Sequence, residues 1–120
     1  MEIVDLIGKA LGVRAFYHKV ISGNIANSQT PAYKEKDIDF KNELGKRLGA
    51  AAGKRMSDPS DYNVTENQGN DGLKSIDGNT VDLEGQTVKL TENQLMYHAL
   101  VQIAGKRFSL MKYIISEGKR

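Results

Sequence analysis

Two runs of helical periodicity, one at each end of the chain, constrain this sequence more than any other feature. From about Ile3 to Asn27, apolar or small residues recur at alternating spacings of four and three, through Leu6, Ala10, Val13, Tyr17, Val20, Asn24 and Asn27. Ile7, Leu11, Ile21 and Ile25 flank that seam and widen the face. A second run alternates in the same way through Leu83, Thr87, Leu90, Gln94, Tyr97, Val101, Ala104, Phe108, Met111 and Ile115, broadened by Leu100, Ile103, Leu110 and Ile114. A repeat nearer 3.5 than 3.6 is that of a coiled-coil or bundle helix. The two helices would be roughly 35 and 50 Å long at the α-helical rise. The first should stop just after Asn27, because Pro31 biases Thr30 out of the α region. The second opens with an Asn79-x-x-Asp82 arrangement resembling a capping box, directly after the turn-forming Asp77-Gly78. Gly85 and Gly105 weaken it, each by about 1 kcal/mol relative to alanine.

Between the runs the periodicity collapses. Ile38 and Phe40 place one face of a short extended piece, and Phe40–Leu48 reads as a single helical turn. From Gly49 to Thr80 the chain is rich in Gly, Asp and Asn and carries few large apolar side chains: Met56, Tyr62, Val64, Leu73 and Ile76. So little to bury predicts a loop, a weak hairpin or a segment ordered by a partner. The hairpin would pair Tyr62-x-Val64 with Leu73-x-x-Ile76 around Gln68–Gly72. The fold class is therefore mainly α. Long N- and C-terminal helices form a coiled-coil-like hairpin around an irregular, partly extended or disordered middle. The single domain divides into a helix over 1–30, a middle over 31–80 and a helix over 81–120. One stripe per helix is buried in such a hairpin, and the flanking apolar positions are left to neighbouring molecules.

Chemistry finds little purchase here. The chain has no cysteine, which excludes disulfides, thiolate zinc sites and a cysteine nucleophile. His18 and His98 lie on different helices without a second ligand at i+3 or i+4, so they read as packed or half-exposed helix residues. No glycine-rich phosphate cradle occurs. Asp58, Asp61, Asp71 and Asp77 lack calcium-loop spacing and read as solvated turns. Glu35, Asp37 and Asp39 alternate with Lys34 and Lys36, as on an exposed extended edge. A net charge of +2 does not imply nucleic acid. The basic cluster Lys106, Arg107, Lys112, Lys119 and Arg120 suits a helix C-terminus without a recognition motif. No stretch approaches the ~18 apolar residues of a membrane span. Glu2 and Asp5 sit where a secretory signal carries positive charge, so any route out of the cytoplasm is expected to need no cleaved signal of that kind.

One stretch departs from the pattern. Asn24 and Asn27 occupy seam positions one turn apart, where they either fix register with a partner or simply close the helix. Thr30-Pro31 then forces an extended exit, and Tyr33 offers a rigid anchor with a polar tip. Asn24-Ile25-Ala26-Asn27 followed by Thr30-Pro31-Ala32-Tyr33-Lys34 resembles the N-terminal signature of the bacterial flagellar rod, hook and hook-associated axial proteins. Lys36-Asp37-Ile38-Asp39-Phe40 is similar to the proximal members of the basal-body rod protein family. So is the stretch from Asp77-Gly78-Asn79-Thr80-Val81-Asp82-Leu83 through Glu92-Asn93-Gln94-Leu95-Met96-Tyr97 to Phe108. Two departures stand out: Ala32 where that family often has glycine before the tyrosine, and Gly85-Gln86-Thr87 in place of a more helix-favouring segment.

The resemblance implies a structural, non-enzymatic subunit without cofactors. Its helix-packing residues would be Leu6, Ala10, Val13, Tyr17 and Val20 on one side and Leu90, Tyr97, Val101, Ala104, Phe108, Met111 and Ile115 on the other. Implied partners are further copies of the chain in a helical assembly, other rod proteins, the basal-body MS ring with its adaptor, and the flagellar type III export apparatus. Neither nucleic acid nor a small-molecule substrate is expected. The implied location is the flagellar basal body in the cell envelope, periplasmic where the host has an outer membrane. The competing reading is a helical regulatory or nucleic-acid-binding protein.

Overall fold

A computed structural model describes residues 3–49, 61–69 and 76–118 of the chain. Its order is α1 (Ile3–Ala26), β1 (Glu35–Ile38), α2 (Phe40–Leu48), β2 (Val64–Asn67) and α3 (Leu83–Gly118). The expected mainly helical hairpin is what forms: α1 packs chiefly against α3. The pair runs antiparallel, since Asn24 meets Gln86 and Arg14 meets Asn93. Continuing that register at equal rise puts Ile3 opposite about residue 105, so roughly the last thirteen residues of α3, up to Gly118, run past the end of α1. The molecule is accordingly elongated, 70 × 28 × 18 Å.

Each helix ends for a local reason. α1 stops at Ala26, and Asn27 closes its last turn by donating both its backbone N–H and its side-chain Nδ2 to the Gly23 carbonyl. Thr30-Pro31-Ala32-Tyr33 is a β-turn closed by the Tyr33 N–H on the Thr30 carbonyl, with Ala32 at φ +62°. Proline at the second position and positive φ at the third are the type II arrangement, which favours glycine where Ala32 stands. α3 begins three residues later than the capping-box pattern implies. Asp82, not Asn79, is its N-cap, with Oδ1 accepting the Gly85 N–H at 3.2 Å. Asn79 is released to bridge elements, donating to the carbonyls of Asn27 and Thr30 at 2.9 and 2.8 Å.

The middle differs from expectation in three ways. Phe40–Leu48 is a nine-residue helix rather than one turn, capped by Asp39 and stabilised by a buried Glu43–Arg47 ion pair at 3.0 Å. β2 pairs with β1, a partner not expected; the register sets Glu35 against Asn67 and Ile38 against Val64, and the Leu73 side of the expected hairpin lies outside the described residues. The directional partners of β1 lie across the fold, where local alternation could not reveal them. Met56, Asp58, Asp71 and Leu73 lie outside the described residues. Finally, Glu35 is buried rather than part of an exposed edge, because four groups bond to it.

Candidate functional site

The apolar core of the described residues is small: Ile7, Ala10, Val13, Ile21 and Ile38. Polar side chains are buried beside it, and they organise the seam. Asn24 is fully buried and uses every hydrogen-bonding position it has. Its Nδ2 donates to the Lys36 carbonyl at 2.7 Å and to Gln86 Oε1 at 2.9 Å. Its Oδ1 accepts the Lys36 N–H at 2.9 Å and the Tyr33 O–H at 3.3 Å. One side chain thus joins α1, the turn, β1 and α3.

The network continues through Gln86, whose Nε2 donates to Glu35 Oε1 at 2.7 Å. That oxygen also accepts the Asp82 N–H at 3.1 Å, tying the start of α3 to β1. The Glu35 N–H donates to Thr80 Oγ1, which in turn donates to the Asn67 carbonyl, both at 2.8 Å. A second polar rung lies lower on the hairpin, where Asn93 Nδ2 donates to the Arg14 carbonyl at 2.9 Å and Arg14 Nη1 donates back to Asn93 Oδ1 at 3.3 Å. The Arg14 guanidinium also covers the Phe40 ring at 3.8 Å. Burial, and next the nearby Asp37 charge, push the Tyr17 hydroxyl up from its ordinary pKa. Buried networks of this kind set register more than they add stability.

The motif residues fall into this hub unevenly. Asn24 is its centre, Tyr33 and Asn27 touch it, and Thr30 and Pro31 shape the turn. Ile25 is half-buried, and Ala26 is exposed. Sequence reading missed Glu35, Gln86, Asn93, Asn79 and Thr80 as structural residues. The signal available was their position beside the heptad pattern, since Gln86, Leu90, Asn93, Tyr97, Leu100 and Ala104 also alternate by four and three.

Two adjacent heptad stripes therefore run along each helix, and the hairpin uses one. In α1, Ile7 and Ile21 turn inward, leaving Leu6 exposed and Val20 half-exposed, while Ala10, Tyr17 and Asn24 belong to both stripes and Val13 of the expected stripe is buried as well. In α3, Leu90, Tyr97 and Ala104 are half-buried, whereas Val101, Phe108, Met111 and Ile115 stand outside the chain's own fold. Phe108 is 53% exposed and Leu95 69%. A groove of about 310 Å³ between the helices is walled partly by His18 and His98. Among the described residues no three His, Cys, Asp or Glu side chains converge as a metal site would need, and no helix is long and apolar enough to cross a membrane.

A polar seam that fixes two long helices in register, with apolar flanks left outside, defines a helical-hairpin structural subunit. The chain is similar to the flagellar basal body rod protein FlgB of Bacillus subtilis strain 168, at 32% identity over 97% of this chain and 95% of the relative. It is similar to the FlgB proteins of Yersinia enterocolitica and Salmonella typhimurium at 29% identity, over 92% of the chain and 90% of each relative. No protein-family model matches it. The chain belongs to the FlgB family of flagellar basal body rod proteins. That is the family expected from the Asn24–Lys34 and Asp77–Tyr97 motifs.

Proposed function

We propose that this chain is a structural subunit of the proximal flagellar rod, polymerising with copies of itself and with other rod proteins into a helical tube that carries motor torque. The observation that carries this reading is the exposed apolar flank of α3 on a hairpin whose own helices are already joined by buried hydrogen bonds. Burial of such flanks between copies contributes about 25 cal/mol per Å² of apolar surface removed from water. Contacts of heterologous type that do not close on themselves build helical filaments. Leu6, Val20, Val101, Phe108, Met111 and Ile115 would make those contacts, and the MS ring with its adaptor would receive the base of the tube. Export would use the flagellar type III apparatus without a cleaved signal, delivering the chain to the basal body and, in a host with an outer membrane, to the periplasm.

Mass spectrometry of washed hook–basal bodies from the native organism tests the proposal. The chain is expected in the wash-resistant fraction with other rod proteins. Its recovery only in the soluble fraction, while those proteins are retained, would overturn the assignment.

A further inference from the structure

The middle of the chain is fastened to the hairpin by contacts that the assembly surfaces do not use. Tyr62, just before β2, lies flat on Phe16 of α1, with ring centroids 3.8 Å apart and planes 11° from parallel. The Arg47 guanidinium of α2 covers the Tyr62 ring at 3.7 Å, and the Tyr62 hydroxyl donates to the Gly12 carbonyl at 3.3 Å. Glu43 holds this stack in place. Its Oε2 accepts from Arg47 Nη1 at 3.0 Å, while Oε1 accepts the Asn63 N–H at 3.0 Å and Lys46 Nζ at 3.3 Å.

Beyond this stack, the segment is held by its ladder with β1, which sets Val64, Thr65 and Glu66 against Ile38, Asp37 and Lys36, and by the Thr65 hydroxyl donating to the Asp37 carbonyl at 3.3 Å. All four residues of β2 are exposed, so apart from Tyr62 the strap buries little apolar surface. Its far end is tied at Asn67, by Thr80 and Glu35. Arg47 is buried, yet its Nε and Nη2 have no acceptor. Closing the strap therefore keeps two donors from water, and opening it returns them. Segments held by few directional contacts open below the global unfolding free energy.

We infer that residues 61–66 form a latch that swings about Asn67 while the α1–α3 hairpin stays folded, with the Glu43 carboxylate as its catch. The groups facing that carboxylate are Lys46 and Arg47 from α2 and the Asn63 N–H from the strap, while α1 contributes Phe16 to the stack and Arg14 on the neighbouring Phe40 ring. Burial alone would raise the Glu43 carboxyl, but the Asn63 N–H, Lys46 and Arg47 together hold it below its ordinary value. A carboxylate held in this way stays charged at neutral pH and keeps its hold on the Asn63 N–H.

Native-state hydrogen exchange of the full chain and of Glu43→Gln at one neutral pH tests the latch. Exchange at 62–66 and 36–38 should accelerate by about tenfold or more, the loss of one buried charged partner. The buried parts of α1 and α3 should stay better protected than the strap in both proteins, since the hairpin remains folded when the latch opens. Tyr62→Ala, made on the strap itself, should act in the same place. One common opening free energy for strap and helix amides in the unaltered chain, or no acceleration at the strap in Glu43→Gln, would overturn the latch. In the unaltered chain, the NMR shift of the Asn63 amide should titrate with the Glu43 carboxyl, at a midpoint below the ordinary carboxylate range. A midpoint at or above that range would also overturn it.

Discussion

Asn24→Ala removes the residue on which three elements meet, and its cost can be worked from the bonds it breaks. The substitution orphans Gln86 Oε1, the Lys36 N–H and carbonyl, and the Tyr33 hydroxyl in one step. Tyr33 is half-exposed, and its hydroxyl can turn to water. Lys36 is exposed as a residue, so its backbone groups are partly rehydrated, leaving Gln86 Oε1 and about one Lys36 group without a partner. An orphaned buried polar group costs about 1–3 kcal/mol, and together with the small void the loss should be about 3–5 kcal/mol. For a domain of this size that lowers Tm by about 10–20 °C. The companion Asn27→Ala loses a bond to its own helix end and one to the Thr30 hydroxyl in an exposed setting, and should cost only about 1 kcal/mol. Urea unfolding followed by far-UV circular dichroism measures both. Equal costs, or a loss below about 1 kcal/mol for Asn24→Ala, would refute the view that Asn24 is the centre of the seam.

Three further substitutions separate the chain's internal and external surfaces. Ala32→Gly relieves an alanine held at φ +62°; an L-residue there costs about 1–2 kcal/mol, partly offset by the greater unfolded-state freedom of glycine. A net gain of about 0.5–1 kcal/mol is expected in thermal unfolding, and an unchanged or lower Tm would count against the turn geometry. Val13→Asp puts a carboxylate at a position with 0% exposure and should unfold the isolated chain, at a cost above about 3 kcal/mol. Phe108→Asp should leave the isolated chain's stability within about 0.5 kcal/mol yet abolish incorporation into basal bodies; normal swimming by this variant would refute the role given to the α3 flank.

Legibility along the sequence followed the range of the interactions involved. Both long helices could be read because the apolar repeat is local, and Pro31 and the Asp77-Gly78 turn mark their ends. Which stripe faces inward could not. A face wide enough to hold two adjacent heptad lines satisfies either, and Ala10, Tyr17, Leu90, Tyr97 and Ala104 sit on both. The choice is made by Asn24 with Gln86 and by Arg14 with Asn93, pairs 62 and 79 residues apart in sequence. The same distance hid Glu35, whose alternating neighbours read as a solvated edge although Asp82, Gln86 and Thr80 enclose it. The buried Glu43–Arg47 pair was nearer the surface of the text. An i, i+4 acid–base pair on a short helix is a local signal, but nothing local says that Tyr62 will cover it.

The division between the two stripes has a physical consequence for assembly. Hydrogen bonds are directional and nearly neutral in net stability when exchanged with water, so a polar seam selects one register without adding much adhesion. Apolar contact is non-directional and scales with area, so it adds adhesion without selecting register. In this chain Asn24, Gln86, Asn93 and Arg14 lie between its own helices, and Val101, Phe108, Met111 and Ile115 lie outside them. The directional contacts are thus made within one molecule, where loop closure has already brought the partners together. In the proposed assembly, neighbouring molecules would meet a hairpin whose register is set, and would need to supply only surface to an apolar flank held in a defined place. With the polar residues outside and the apolar ones within, the chain would fold more tightly alone and meet its neighbours through contacts of little net adhesion. The observed arrangement instead leaves a small core and places the adhesive surface where a tube of subunits can use it.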